Sequence, residues 1–197
     1  MSIVTLTSGG LDSTLMAVLA KEEGLTQFPL FIDYGQLGKE RELRACERNF
    51  EIHNLPKPKI ASLPGYGALL SSGITDSKKD IFNEAFLPCR NLMLLTVGAA
   101  YAYQCGASAV CIGLLDEAFS LFPDQTRGFL SDTEAIISRA VGKPLKVRTP
   151  LISFSKAEVV AVAKARGISG TYSCHSGSEE PCGVCIACRE YIGLEVL

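Results

Sequence analysis

The chain has 197 residues, 47% of them hydrophobic and 20% charged, with a formal net charge of −2. That is enough chain for one sizeable core and too little for a second full domain; no apolar run approaches the ~20 residues of a membrane helix, and the acidic balance excludes a large basic footprint for nucleic acid. With no basic-then-apolar leader at the start, the expectation is a cytoplasmic protein built as one domain over residues 1–197.

The first predicted element is a short β-branched strand, Ile3 to Thr7, and it runs directly into Ser8-Gly9-Gly10-Leu11-Asp12-Ser13-Thr14. A helix follows from Thr14 to Glu23, ended by Gly24. Gly9 and Gly10 let the backbone turn tightly and approach an anion closely. A phosphate at that turn meets unpaired N–H groups and the positive end of the helix dipole. Ser8 and Ser13 add hydroxyl donors, while Asp12 repels phosphate and suits an accompanying Mg²⁺. The pattern reads as a seat for the phosphates of ATP, against the plainer alternative of a structural strand-turn-helix corner. It is not a Walker A loop, because it has neither that length nor the lysine that reaches the β and γ phosphates. Ser8 to Ser13 resembles the PP-loop of the ATP pyrophosphatases. That likeness implies a held β,γ-pyrophosphate, attack of a substrate oxygen on the α-phosphorus, and AMP and pyrophosphate as products.

Next come a strand at Phe28 to Asp33, a charged helix from Lys39 to about Ile52, and a short strand near Lys59 to Ser62. Residues 63–88, rich in Gly, Pro and Ser, read as a long loop of the kind that is functional or mobile. A long apolar helix is predicted from about Asn91 to Gly106, a strand at Ala109 to Ile112, a helix at Asp132 to Val141, and another at Ser155 to Arg166 opening on a Ser-x-x-Glu capping box. Such alternation predicts a three-layer α/β fold, a mostly parallel sheet with helices on both faces and a site at the carboxyl ends of its strands.

Cys174, Cys182, Cys185 and Cys188 form a C-x₇-C-x₂-C-x₂-C cluster. Thiolates this close suit Zn²⁺ or an iron–sulfur cluster, and without signs of secretion a metal outweighs disulfides. His175 is a competing ligand that is expected to point elsewhere. Cys105 and Cys111 read as small buried hydrophobes, Cys46 has no evident partner, and Cys89 is a candidate reactive thiol only through its place before Arg90 and Asn91.

With both ends in view, the chain resembles the 7-cyano-7-deazaguanine synthases of the queuosine precursor pathway. The matching segments are Ser8 to Ser13, Asp33-Tyr34-Gly35-Gln36 followed by Glu40 or Glu42, Arg90-Asn91, Thr149-Pro150-Leu151 with Ser155 to Glu158, and the cysteine end. The resemblance implies a PP-loop fold of the adenine nucleotide α-hydrolase type with a zinc-binding segment at 174–188. It also implies ATP, Mg²⁺ and Zn²⁺ as cofactors, a homodimer, and a 7-deazaguanine carboxylate with ammonia as reactants. Asp12, Ser13 and Arg90 are then the catalytic candidates, Ser8 to Thr14 the nucleotide loop, and Tyr34, Gln36, Arg90, Asn91, Phe122 and Asp124 the substrate candidates. The carboxylate is adenylated, ammonia displaces AMP to give the amide, and a second ATP turns the amide into the nitrile.

Two places depart from the family pattern. Cys89 stands where the family has Gly, and Ser120-Leu121-Phe122-Pro123-Asp124-Gln125-Thr126 stands where it has Ser-Gly-Tyr-Pro-Asp-Cys-Arg. The second removes hydrogen bonding and charge beside the expected substrate. A paralogue that stops at an amide, or that couples the acyl group to another amine on a small molecule or a macromolecule, is the alternative. A tRNA sulfur-transfer enzyme and a non-catalytic zinc module are the remaining readings, the former opposed by the acidic charge and the latter by the intact loop.

Overall fold

Strands and helices alternate as β1 (Ser2–Thr7), α1 (Leu11–Glu22), β2 (Thr26–Asp33), α2 (Lys39–Ile52), β3 (Lys59–Ser62), α3 (Pro64–Leu69), α4 (Arg90–Cys105), β4 (Ala109–Cys111), α5 (Arg127–Val141), β5 (Lys146–Arg148), α6 (Lys156–Ala165) and α7 (Ile186–Arg189). Two 3-10 turns, Glu117–Phe119 and Pro123–Gln125, lie between β4 and α5. This computed structural model describes residues 1–194; residues 195–197, the last of the expected domain, lie outside the described residues.

The strands form one sheet in the order β3-β2-β1-β4-β5, and every pairing is parallel. Because successive strand side chains point to opposite faces, Ile3, Phe31, Ala109 and Cys111 join one core while Val4, Leu6, Leu30, Ile32 and Val110 join the other. Leu15 of α1, Phe50 of α2 and Val159 of α6 cover the first face. Leu95 and Ala99 of α4 and Leu130 and Ile137 of α5 cover the second. Burial on both faces explains why these strands read as continuous apolar runs rather than alternating ones. The chain leaves β1 toward β2 and β3 on one side and returns to β4 and β5 on the other. The carboxyl ends of β1 and β4 therefore flank the switch point where such sheets bind ligands.

Three expectations change. The segment 63–88 is not a featureless loop: it contains α3 and a small core of Ile74, Ala85 and Leu87. The Ser72 hydroxyl ties that core together by donating to the carbonyls of Glu84 and Ala85 at 3.1 and 3.2 Å. Helix α5 begins at Arg127 rather than Asp132, because Thr126 Oγ1 accepts the Phe129 N–H at 3.2 Å and caps it there. Strand β5 has no counterpart in the sequence expectations; it pairs only with β4 over three residues, too few to show a period. The expected capping box is present, with Ser155 Oγ accepting from Glu158 N at 3.3 Å and Glu158 Oε2 accepting from Ser155 N at 2.8 Å.

Candidate active site and metal centre

The turn after β1 is pinned against α2. Gly9 has φ +77°, and a Cβ there would lie 2.0 Å from the Glu42 carbonyl oxygen and 2.9 Å from the Cys46 amide nitrogen. Gly10 is the residue before the first turn of α1, and its carbonyl accepts from Ser13 Oγ at 3.1 Å and Thr14 Oγ1 at 2.9 Å. Ser13 Oγ in turn accepts the Ser8 N–H at 3.1 Å and lies 3.0 Å from Ser8 Oγ. The hydroxyls are thereby ordered before any ligand arrives, and the first N–H groups of α1 have no acceptor within the helix. The tight turn ends where an anion would meet the helix dipole.

A cavity of about 270 Å³ opens on this turn. Ser8, Gly10, Asp12 and Ser13 form one wall, Tyr34, Gln36 and Glu42 another, and Arg90, Asn91, Phe122 and Gln125 a third. Lys156, Ser173, His175, Ile186 and Glu190 close it. Of the catalytic, nucleotide-loop and substrate candidates, Gly9, Leu11, Thr14 and Asp124 do not line it. Gly9 and Thr14 hold the turn in place from behind. Buried Asp124 holds the start of α4, its carboxylate accepting the Asn91 N–H at 3.1 Å and its carbonyl the Asn91 side-chain amide at 2.9 Å. Cys89 adopts φ +59°, the left-handed conformation that its family counterpart Gly adopts freely, at a cost of roughly 1–2 kcal/mol. Its side chain is outside the cavity wall.

The cation missing from the loop comes from another element. Lys156, in the first turn of α6, places Nζ 2.9 and 2.8 Å from the two Asp12 carboxylate oxygens and 2.8 Å from Glu190 Oε2. Burial works against its charge, but Asp12, Tyr191 and Glu190 outweigh it and hold the ammonium above the usual lysine range. The sequence carried Lys156 only as part of a matching segment; 144 residues separate it from Asp12, and no local pattern reports that meeting.

The segment 120–126 has turned its polar groups inward. Gln125 Oε1 accepts the N–H groups of Leu121 and Phe122, both at 3.0 Å, and Thr126 caps α5. The Phe122 ring stacks on Phe86 at 5.0 Å between centroids, which gives this wall an apolar patch beside Arg90 and Asn91. His175, expected to point elsewhere, faces the cavity. Burial and the nearby Arg90 charge push it down to about 4, leaving the imidazole neutral at physiological pH, and its Nδ1 has no hydrogen-bond partner among the described residues. Burial pushes the thiol of Cys46 up to about 11 and that of Cys111 to about 12, so neither acts as a nucleophile.

The four Sγ atoms of Cys174, Cys182, Cys185 and Cys188 lie within 4.8 Å of one another, and His175 is not among them. That spacing suits four thiolates converging on a single tetrahedral ion, and the set can hold a metal such as zinc. Backbone N–H groups already point at the sulfurs, from Cys182 to Cys174 at 3.3 Å, from Cys185 to Cys182 at 3.4 Å and from Cys188 to Cys185 at 3.4 Å. Burial opposes a Cys174 thiolate, but the Cys182 N–H and Ser176 outweigh it and bring the group down to about 6. Residues flanking the cysteine segment also clamp the Gly9-Gly10 turn: Tyr172 N donates to the Gly9 carbonyl at 2.9 Å, and Glu190 reaches Lys156. Among the loop residues, Asp12 presents a hard oxygen to the cavity and fits Mg²⁺, which takes one or two carboxylates together with phosphate oxygens.

Comparison with known proteins places these features in a family. The family model described as queuosine biosynthesis protein QueC matches residues 2–191. The 7-cyano-7-deazaguanine synthase of Nautilia profundicola is 31% identical over 94% of this chain and 89% of its own length. That of Campylobacter curvus is 35% identical with the same coverage. Among solved structures, the U34-tRNA thiolase NcsA from Methanococcus maripaludis, determined with its [4Fe-4S] cluster, aligns with TM-score 0.62 at 18% identity, covering 92% of this chain and 61% of that one. The NMN synthetase of Francisella tularensis aligns with TM-score 0.54 at 18% identity, over 90% of this chain and 68% of that one. At such identities the likeness is one of fold.

Proposed function

We propose, because this chain belongs to the QueC family of queuosine biosynthesis proteins, that it uses ATP to adenylate 7-carboxy-7-deazaguanine and lets ammonia displace AMP, proceeding through the amide to 7-cyano-7-deazaguanine. The observation that carries this reading is that one cavity joins the Ser8 to Ser13 turn to Arg90, Tyr34 and Phe122. The β and γ phosphates sit against the first-turn N–H groups of α1, the Ser8 and Ser13 hydroxyls and Lys156. Asp12 would hold Mg²⁺, which supplies charge neutralisation on those phosphates. Arg90 neutralises the substrate carboxylate and aligns one of its oxygens with the α-phosphorus. Pyrophosphate leaves, and the acyl phosphate is kept from water by Leu6, Ile32, Leu94, Ile112 and Ile186 in the cavity wall. Ammonia adds to the acyl carbon and expels AMP. The amide oxygen then attacks a second ATP, and loss of AMP and a proton leaves the nitrile. No protein nucleophile is required.

A second reading, in which the reaction stops at an amide or uses an amine other than ammonia, is favoured by Phe122 in the cavity wall, stacked on Phe86, and by the exposure of Phe119 and Leu121 beside it in the chain, 64% and 63%. Product analysis tests both. Protein incubated with ATP, Mg²⁺, the carboxylate and ammonium should release AMP and pyrophosphate, two of each per nitrile. A primary amide as end product with one AMP, or a conjugate with another amine when one is supplied in place of ammonium, supports the second reading, and release of ADP and phosphate contradicts both.

A further inference from the structure

Glu42 is a cavity carboxylate whose partners leave it short of donors. The carboxylates of Asp12 and Glu190 are held by Lys156. Glu42, in the first turn of α2 beneath Gly9, accepts among the described residues only from Gln36 Nε2, at 3.0 Å to Oε2. No hydrogen bond reaches its Oε1 among the described residues; that oxygen lies against Gly38, and Glu42 itself lines the cavity. Burial pushes its carboxyl up to about 7, against the opposing Gln36 hydrogen bond and Arg90 charge. A carboxylate taken from water with one donor gains when a ligand brings more.

Gln36 cannot itself read a ligand. Its Oε1 accepts the Tyr34 N–H at 2.9 Å, and its Nε2 is divided between the Ile32 carbonyl at 3.3 Å and Glu42. An amide fixed at both ends holds the carboxylate in one orientation.

The geometry points to Glu42 as the specificity-determining group for the substrate base: its carboxylate accepts the ring N–H and the 2-amino group on the pyrimidine edge of the deazaguanine, with Gln36 as its positioning residue. A guanine-type ring presents those two donors side by side, matching the two oxygens of a carboxylate. The adenine of ATP presents one amino group beside an acceptor, which a carboxylate repels, so the same group separates the two bases sharing the cavity. This inference rests on the proposed function.

The test compares 7-carboxy-7-deazaguanine with its analogue lacking the 2-amino group, following AMP release by the wild type and by Glu42→Gln. The wild type should favour the 2-amino compound by about 10- to 100-fold in kcat/KM, the range of a good bidentate contact. Glu42→Gln should lose most of that preference through a raised KM for the deazaguanine, with KM for ATP unchanged. A preference that survives the substitution overturns the inference alone, as does a variant that binds the base normally but accumulates acyl adenylate. The wild type gives a check independent of the variant's folding, since equal kcat/KM for the two bases also overturns it. A wild type that forms no AMP with either base overturns the proposed function and the inference together.

Discussion

Gly9→Ala should lose at least about 100-fold in AMP formation and several kcal/mol of stability. The added Cβ would stand 2.0 Å from the Glu42 carbonyl oxygen and 2.9 Å from the Cys46 amide nitrogen, both of them backbone atoms of α2. No rotamer change relieves such a clash; the turn must lift from α2, and with it the hydrogen bond from Tyr172 N to the Gly9 carbonyl. Gly24→Ala isolates the part due to backbone conformation. Gly24 has φ +72° but nothing within 4 Å of a Cβ, so its variant should cost only about 1–2 kcal/mol, a melting shift of a few degrees, with activity intact. Similar losses from the two variants, in melting temperature and in AMP release, would show that close approach to α2 is not what shapes the turn.

The second large effect belongs to the metal centre. The protein should hold about one zinc ion per chain and be colourless, and Cys185→Ala should lose the metal and lower the melting temperature by about 10 °C or more. Cys185 is fully buried, and its Sγ accepts the Cys188 N–H that starts α7. Binding of structural zinc in small peptides is worth roughly 10–16 kcal/mol, comparable with the whole stability of a domain, so even partial loss is visible. AMP formation should fall as well, because the same segment carries Ser173, His175, Ile186 and Glu190 into the cavity wall. Elemental analysis with a melting curve decides the matter. Iron with visible absorption, or a metal-free variant that melts like the wild type, would contradict it.

The features legible in the sequence were those written in consecutive residues. The charged run from Lys39 to about Ile52 reads as a helix, and the structure gives the same limits, with Ala45, Cys46, Asn49 and Phe50 on its buried face. The Gly-Gly turn and the cysteine spacing carried their chemistry in residue type alone. What escaped were meetings between distant elements. Lys156, Glu190 and Asp12 come from α6, the end of α7 and α1, and only the folded sheet brings them within 2.9 Å. Gln36 and Asp124 were assigned to substrate by resemblance, yet both are engaged with protein groups, Gln36 with Glu42 and Asp124 with the start of α4. Hydrogen-bond commitments of this kind leave no trace in periodicity. Short elements such as α3 and β5 failed for a related reason, since tertiary packing rather than propensity holds them.

The most direct test of the central claim uses 7-carboxy-7-deazaguanine with both carboxylate oxygens replaced by oxygen-18, incubated with the protein, ATP, Mg²⁺ and ammonium. Attack of a substrate oxygen on the α-phosphorus transfers that oxygen to AMP. The account therefore predicts AMP carrying one heavy oxygen, and, when the nitrile forms, both labels recovered in two molecules of AMP. Unlabelled AMP, or label in pyrophosphate or free phosphate, would contradict it.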